Sequence, residues 1–80
     1  MYPTPQEIKS YIQNGLECTH LSVEGDGQHF FATIVSPAFE GLRLIARHQK
    51  VYAALGERMK EEIHALSFKT LTPDEFSKTI

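Results

Sequence analysis

Hydrophobic positions near the start of the chain recur with the period of a helix. Apolar side chains follow helical spacing from Ile8 to Ile12. They come after residues 4–7, whose Thr-Pro-Gln-Glu order is that of a capping box with proline in the first helical position. The pattern therefore predicts a first helix that begins after Thr4, and Gly15 is the predicted C′ residue that ends it.

The next two segments alternate between apolar and polar side chains, as half-buried strands do. Residues 18–24 predict a first strand, and residues 29–35, rich in aromatic and β-branched side chains, predict a second. The Gly-Asp-Gly sequence at 25–27 predicts a tight turn, so the two strands form a hairpin. The predicted buried face of the second strand carries Phe30, Ala32 and Ile34, and the predicted exposed face carries His29, Phe31, Thr33 and Val35.

The second half of the chain predicts a long helix, a third strand and a short final helix. After a break at Ser36-Pro37, the helix is predicted over 42–60 and the strand over 63–71. A second capping-box sequence at 72–75 starts the last helix. The apolar stripe predicted for the long helix consists of Leu42, Ile45, Tyr52, Leu55 and Met59.

The order of these elements is α-β-β-α-β-α. Because a helix joins the second and third strands, a right-handed crossover and a mixed sheet are expected. The sequence therefore predicts a single domain over residues 1–80, of the α/β (α+β) class, with helices packed on a three-stranded mixed sheet.

Composition and charge exclude several classes of function. The chain has 80 residues, a formal net charge of −2 and one cysteine, Cys18, so neither strong non-specific nucleic-acid binding nor an internal disulfide is expected. The longest apolar run, 30–35, is far shorter than a membrane span, and the first residues do not have the pattern of a signal peptide. The sequence also lacks a phosphate-binding loop and a nucleophile next to a base, so we predict that the protein is not an enzyme. The lone cysteine and the lack of a membrane-span or signal-peptide pattern predict a cytoplasmic protein.

Histidine is the main source of candidate chemistry. His64 opens the third predicted strand and His29 opens the second, so parallel pairing of these strands would bring both imidazoles to one end of the sheet. Two ligands leave a four-coordinate metal centre incomplete, so the remaining ligands would have to come from another molecule. His20 and His48 have no convergent partner in the sequence, and they are expected to be structural or solvated.

A basic stripe is predicted on the long helix. Arg43, Arg47 and Lys50 are spaced i, i+4, i+7 and share one face, which is either a solvated surface, a phosphate contact or a surface that steers an acidic partner. Together with His48 and Lys69, these residues are the candidates for partner or nucleic-acid binding.

With these residues in place, the chain resembles the BolA family over nearly its whole length, and most closely the bacterial acid-stress branch known as IbaG or YrbA. The resemblance implies a fold similar to that of class II KH domains. The segments that carry it are 23–30 (VEGDGQHF), 35–41 (VSPAFEG), 47–55 (RHQKVYAAL) and 63–76 (IHALSFKTLTPDEF).

The resemblance also implies a function. Members of the family bind monothiol glutaredoxins and share a bridging [2Fe-2S] cluster, in iron–sulfur trafficking, iron regulation and stress responses. The glutaredoxin cysteine and glutathione supply thiolates, and the BolA-like partner supplies a histidine, which falls on His64 here. The second family ligand is a Cys or His in the hairpin loop. This loop has no cysteine, Asp26 is a poor match for such a ligand, and His29 is the nearest imidazole.

The same resemblance implies an alternative. The family is also described as DNA-binding transcription regulators, and residues 39–55 fall on its helix-turn-helix-like region. This chain lacks a KH-type G-x-x-G clamp between helices and carries few bases, so DNA binding ranks second. The isolated chain is expected to be a monomer or a weak homodimer.

Overall fold

Three helices and three strands make up the fold. A computed structural model describes residues 3–26 and 28–78 of the chain. Outside the described residues lie Gly27 of the predicted turn and residues 1–2 of the first segment, which does not have the pattern of a signal peptide. The elements are α1 (Pro5–Gly15), β1 (His20–Gly25), β2 (Phe30–Val35), a 3₁₀ turn (Pro37–Phe39), α2 (Leu44–Leu55), a second 3₁₀ turn (Ile63–Ala65), β3 (Leu66–Leu71) and α3 (Pro73–Lys78).

The strands form one mixed sheet in the order β1-β2-β3. The hairpin pairs β1 and β2 antiparallel, with Gly25 opposite Phe30 at one end and His20 opposite Val35 at the other. β3 runs parallel to β2, with Phe30 opposite Leu66. The predicted element order and mixed sheet are therefore confirmed, and α2 is the crossover between the two parallel strands.

The inner face of the sheet and the two longer helices enclose the core. On β2, the predicted buried side chains Phe30, Ala32 and Ile34 are all buried. Ile8 and Ile12 of α1 and Val51 and Leu55 of α2 pack in the same cluster. Burying apolar side chains on one sheet face and one helix stripe is what stabilises a chain of this size.

One prediction about the outer face of the sheet is wrong. Val35 was expected to be exposed, but it is completely buried. It lies in the same row as His20, whose ring stacks on Phe76 of α3 with the ring centroids 4.7 Å apart. α3 therefore covers this end of the outer face, while Phe31 at the other end is exposed.

The role predicted for Gly15 is also wrong. The capping box at Thr4 and Glu7 is present, as expected, with both reciprocal hydrogen bonds formed. Gly15, however, is the last residue of α1 and does not have the left-handed conformation of a C′ glycine. A Cβ at this position would lie 2.7 Å from the Cα atom of Ala54, so glycine is required here because α1 and α2 approach each other closely.

The long helix is shorter than predicted, and its apolar stripe differs. α2 ends at Leu55 because Gly56 takes a positive φ of 60°, and residues 56–62 form turns that return Met59 to the core. Ile45 and Tyr52 of the predicted stripe are 71% and 48% exposed. The helix instead buries Val51 with Leu55, since it packs against α1 as well as against the sheet.

Candidate histidine site at one end of the sheet

Two histidines lie where the parallel strands begin. His29 directly precedes β2, and His64 lies in the 3₁₀ turn that leads into β3. Because Phe30 is paired with Leu66, both strands start at the same edge of the sheet. The structure thus brings His29 and His64 to the same end of the sheet, as the predicted parallel pairing requires.

His64 lies in a hydrogen-bonded turn while its side chain is exposed. The third strand was predicted from residue 63, but residues 63–65 form a 3₁₀ turn, in which the Ala65 N–H donates to the Glu62 carbonyl at 2.9 Å. Ala65 and Leu66, which follow His64, are buried in the core. Within residues 3–26 and 28–78, no hydrogen bond, ion pair or ring contact engages the His64 side chain. The imidazole is therefore positioned by the fold and open to a ligand.

His29 is tied to the hairpin loop through its backbone. One carboxylate oxygen of Asp26 accepts hydrogen bonds from the N–H groups of Gln28, at 3.0 Å, and His29, at 2.8 Å. These two bonds are the main reason that the pKa of Asp26 lies below its usual value. The side chain of His29 is exposed. The loop therefore fixes the start of β2 and leaves the second imidazole facing solvent beside an ionised carboxylate.

This end of the sheet offers an incomplete ligand set. Among the described residues, no group of three or more His, Cys, Asp or Glu side chains could hold a metal ion. Cys18 precedes β1, which starts opposite Val35 and thus at the far end of the sheet. Burial is the main cause that raises the pKa of its thiol, with Glu17 adding to the effect. No thiolate from the described part of the chain therefore reaches the histidines.

The other two histidines have packing roles. His20 stacks on Phe76 of α3. The ring of His48, on α2, lies 4.6 Å from that of Phe68 on the inner face of β3. Ring contacts of this kind contribute packing energy between elements. The structure thus gives His48, a candidate for partner binding, a contact within the fold.

The predicted basic stripe is not a row of free cations. Arg47 points inward, and its guanidinium forms two hydrogen bonds, of 2.7 and 3.1 Å, with the carboxylate of Glu75. It also donates to the carbonyls of Leu42 and Thr70, at 2.9 and 3.4 Å. Its side chain is only 13% exposed. Arg47 therefore joins α2, β3 and α3, and only Arg43 and Lys50 of the stripe are exposed.

The Arg47–Glu75 pair has a clear electrostatic consequence. The hydrogen bonds from Arg47 are the main cause that lowers the pKa of Glu75 to about 2. Glu75 also completes the predicted second capping box, accepting from the Thr72 N–H at 2.9 Å. Lys69 lies apart from this cluster, on the outer face of β3, since it alternates with the inward-facing Phe68. The structure does not bring Lys69 together with the exposed cations of α2.

Sequence reasoning did not single out the exposed aromatic ring beside His29. Phe31, on the outer face of β2, is 48% exposed. Phe31 lines a shallow depression with Asp26, His29 and Ser67. The alternation of β2 did predict that Phe31 faces outward, but its place beside His29 depends on the hairpin and on the pairing with β3.

The fold is that of a small α/β protein with two exposed histidines at the shared start of two parallel strands. A family model described as BolA-like protein matches residues 6–75, so the chain belongs to the BolA family.

Relatives in this family carry more specific names. The chain is 37% identical to the acid stress protein IbaG of Escherichia coli K12 over 73 residues, which cover 90% of this chain and 87% of that protein. It is 40% identical to the DNA-binding transcriptional regulator BolA of Haemophilus influenzae over 57 residues, which cover 71% of this chain and 55% of that protein. A BolA homologue from Coxiella burnetii has the same fold, with a TM-score of 0.83 and 48% identity over 95% of this chain and 99% of that one.

The helices of the structure also bear on membrane insertion. Across residues 3–26 and 28–78, no helix combines the length and the apolar character that a membrane span needs.

Proposed function

We propose that this chain is a non-enzymatic adaptor that binds a monothiol glutaredoxin and shares a bridging [2Fe-2S] cluster with it. The cluster is the cargo, for iron–sulfur trafficking or iron regulation and the stress response, in the cytoplasm. The observation that carries the proposal is His64, an exposed imidazole in a 3₁₀ turn at the end of the sheet. Membership of the BolA family supports the same function.

The donor set of the chain fits such a cluster in part. Imidazole nitrogen replaces thiolate on one iron in some [2Fe-2S] proteins, so His64 and His29 are chemically suitable ligands. The described residues hold no thiolate at this end of the sheet, because Cys18 lies at the other. The missing thiolates then come from the glutaredoxin cysteine and from glutathione. A cluster held in this way supplies iron and sulfide for transfer, or an electron.

The two histidines have different parts in this proposal. His64 is the principal ligand, because its side chain makes no contact in the described chain and its backbone is anchored by Ala65 and Leu66. His29 is the second ligand, since it lies at the same end of the sheet. Its neighbour Asp26 accepts two backbone hydrogen bonds through one oxygen, so its carboxylate serves to shape the loop.

Reconstitution tests the proposal. The chain is mixed without oxygen with a monothiol glutaredoxin, glutathione, ferric iron and sulfide, and the products are separated by size with absorbance recorded across the visible range. We expect a coloured heterodimer, whose visible spectrum changes in His64→Ala and is kept in His48→Ala, since His48 packs on Phe68. A wild-type mixture without a coloured heterodimer, or a His64→Ala spectrum identical to that of the wild type, would overturn the proposal.

DNA binding is the second candidate, because one relative is named a DNA-binding transcriptional regulator. In this chain it would depend on Arg43 and Lys50, the exposed cations of α2, whereas Arg47 is engaged by Glu75. Binding to duplex DNA would then weaken steeply with salt, and Arg43→Ala with Lys50→Ala would weaken it further. Equal retention of this double variant and the wild type on DNA in a gel-shift assay would exclude this use of the helix.

A further inference from the structure

The outer face of the sheet is open at the end where the histidines lie. In the first row of this face, the register places Phe31 of β2 between Glu24 of β1 and Ser67 of β3. The far end of the same face is covered by α3, through Phe76. Phe31 is thus an exposed aromatic ring on the central strand, at the open end of the face.

The surroundings of Phe31 are acidic. The depression beside it is lined by Glu24, Asp26 and His29, among others, and no lysine or arginine is among its lining residues. Lys69, a cation on this face, is paired with Thr33 in the next row. One carboxylate oxygen of Asp26 accepts the N–H groups of Gln28 and His29, at 3.0 and 2.8 Å, which positions this carboxylate at the depression. The depression therefore combines an aromatic ring with two negative charges.

We infer that this depression takes a lysine or arginine side chain of the partner protein, with its alkyl stem on the Phe31 ring and its charged head between Glu24 and Asp26. Aromatic faces attract such cations, and long basic side chains pack their stems on apolar surface while the head stays polar. The inference rests on the proposed function, because a partner that brings thiolates to His29 and His64 would cover the adjoining Phe31.

Another apolar surface of the chain does not have this position. Leu44 and Ile45 are more exposed than Phe31, but they lie at the start of α2, which follows the end of β2 and so lies at the opposite end of the sheet. This makes Ile45 a matched control for Phe31: it is an exposed apolar side chain away from the histidines. Glu17, exposed and next to Cys18, is the corresponding control for Glu24.

The test is a calorimetric titration that measures the affinity of the chain for a monothiol glutaredoxin. The glutaredoxin is first loaded with iron, sulfide and glutathione. We expect the Kd to rise about tenfold in Phe31→Thr and about threefold in Glu24→Gln. The Glu24→Gln complex should also depend less on NaCl than the wild-type complex does, because a screened charge pair has been removed. Ile45→Thr and Glu17→Gln should bind as the wild type does, and the visible spectrum of each bound cluster should be unchanged.

The outcomes separate this inference from the proposed function. If the wild-type heterodimer forms and both Phe31→Thr and Glu24→Gln match its Kd and salt dependence, the docking site is wrong and the proposed function stands. If no wild-type heterodimer forms, the proposed function fails and the inference fails with it. If the chain alone forms dimers that Phe31→Thr dissociates, a second copy occupies the depression, which also overturns the inference. Circular dichroism checks folding, and the salt dependence of Glu24→Gln decides the matter if Phe31→Thr unfolds.

Discussion

Gly15→Ala separates two physical effects that have opposite signs. Within a helix, alanine is more stable than glycine by about 1 kcal/mol, so helix propensity alone predicts a more stable protein. In the structure, the added Cβ would lie 2.7 Å from the Cα atom and 2.9 Å from the Cβ atom of Ala54. Because one of these atoms is backbone, α1 and α2 would have to move apart, and overpacking of this kind costs about 1–3 kcal/mol.

The close approach should win, so we expect Gly15→Ala to lower the free energy of unfolding by about 1 kcal/mol, the middle of the overpacking range less the gain in helix propensity. Urea denaturation followed by circular dichroism would then show a midpoint lower by about 1 M at an unchanged slope. Asn14→Ala, an exposed position in the same helix, is the control and should be neutral or slightly stabilising. Ala54→Gly should not rescue Gly15→Ala fully, since the backbone at position 54 would still obstruct the added methyl group. A Gly15→Ala protein more stable than the wild type would refute the packing argument.

Two further predictions concern titratable groups. The pKa of Glu75 is about 2 in the folded chain against an ordinary 4.5, so its stabilising contribution should be complete above pH 4.5 and lost as the pH falls towards 2. Urea midpoints measured across this range should decline less in Glu75→Gln than in the wild type, and parallel declines would contradict the assignment. Burial raises the pKa of the Cys18 thiol, so a disulfide reagent at neutral pH should label the native chain more slowly than the urea-unfolded chain. Equal labelling rates would show that Cys18 is not protected.

Local signals in the sequence predicted where the helices begin. Both capping boxes, at Thr4 and Thr72, are formed in the structure, because their hydrogen bonds involve residues only three positions apart. The ends of the helices were less predictable. Gly15 and Gly56 both follow apolar helical patterns, yet one allows two helices to touch and the other terminates a helix with a positive φ. That difference depends on tertiary packing, which no local pattern contains.

The candidate site was predictable only as far as the strand pairing. The crossover rule favours parallel pairing of the second and third strands, which would bring His29 and His64 to one end of the sheet, and the register of β2 and β3 confirms that pairing. The engagement of Arg47 with Glu75 was not predictable, since 28 positions separate the two residues and the spacing of the basic stripe gives no sign of a distant partner. The exposed ring of Phe31 beside His29 likewise depends on long-range pairing.

Coordination of iron by the His64 imidazole is best tested by pulsed electron paramagnetic resonance on the reduced heterodimer, with the chain labelled with ¹⁵N histidine. The proposed function predicts a histidine nitrogen hyperfine coupling that shifts on ¹⁵N labelling. In His64→Ala this coupling should be lost or reduced to the contribution of His29, whereas in His48→Ala it should be retained. A labelled wild-type complex with no histidine nitrogen coupling, or a coupling that is the same in His64→Ala, would contradict the assignment of His64 as a cluster ligand.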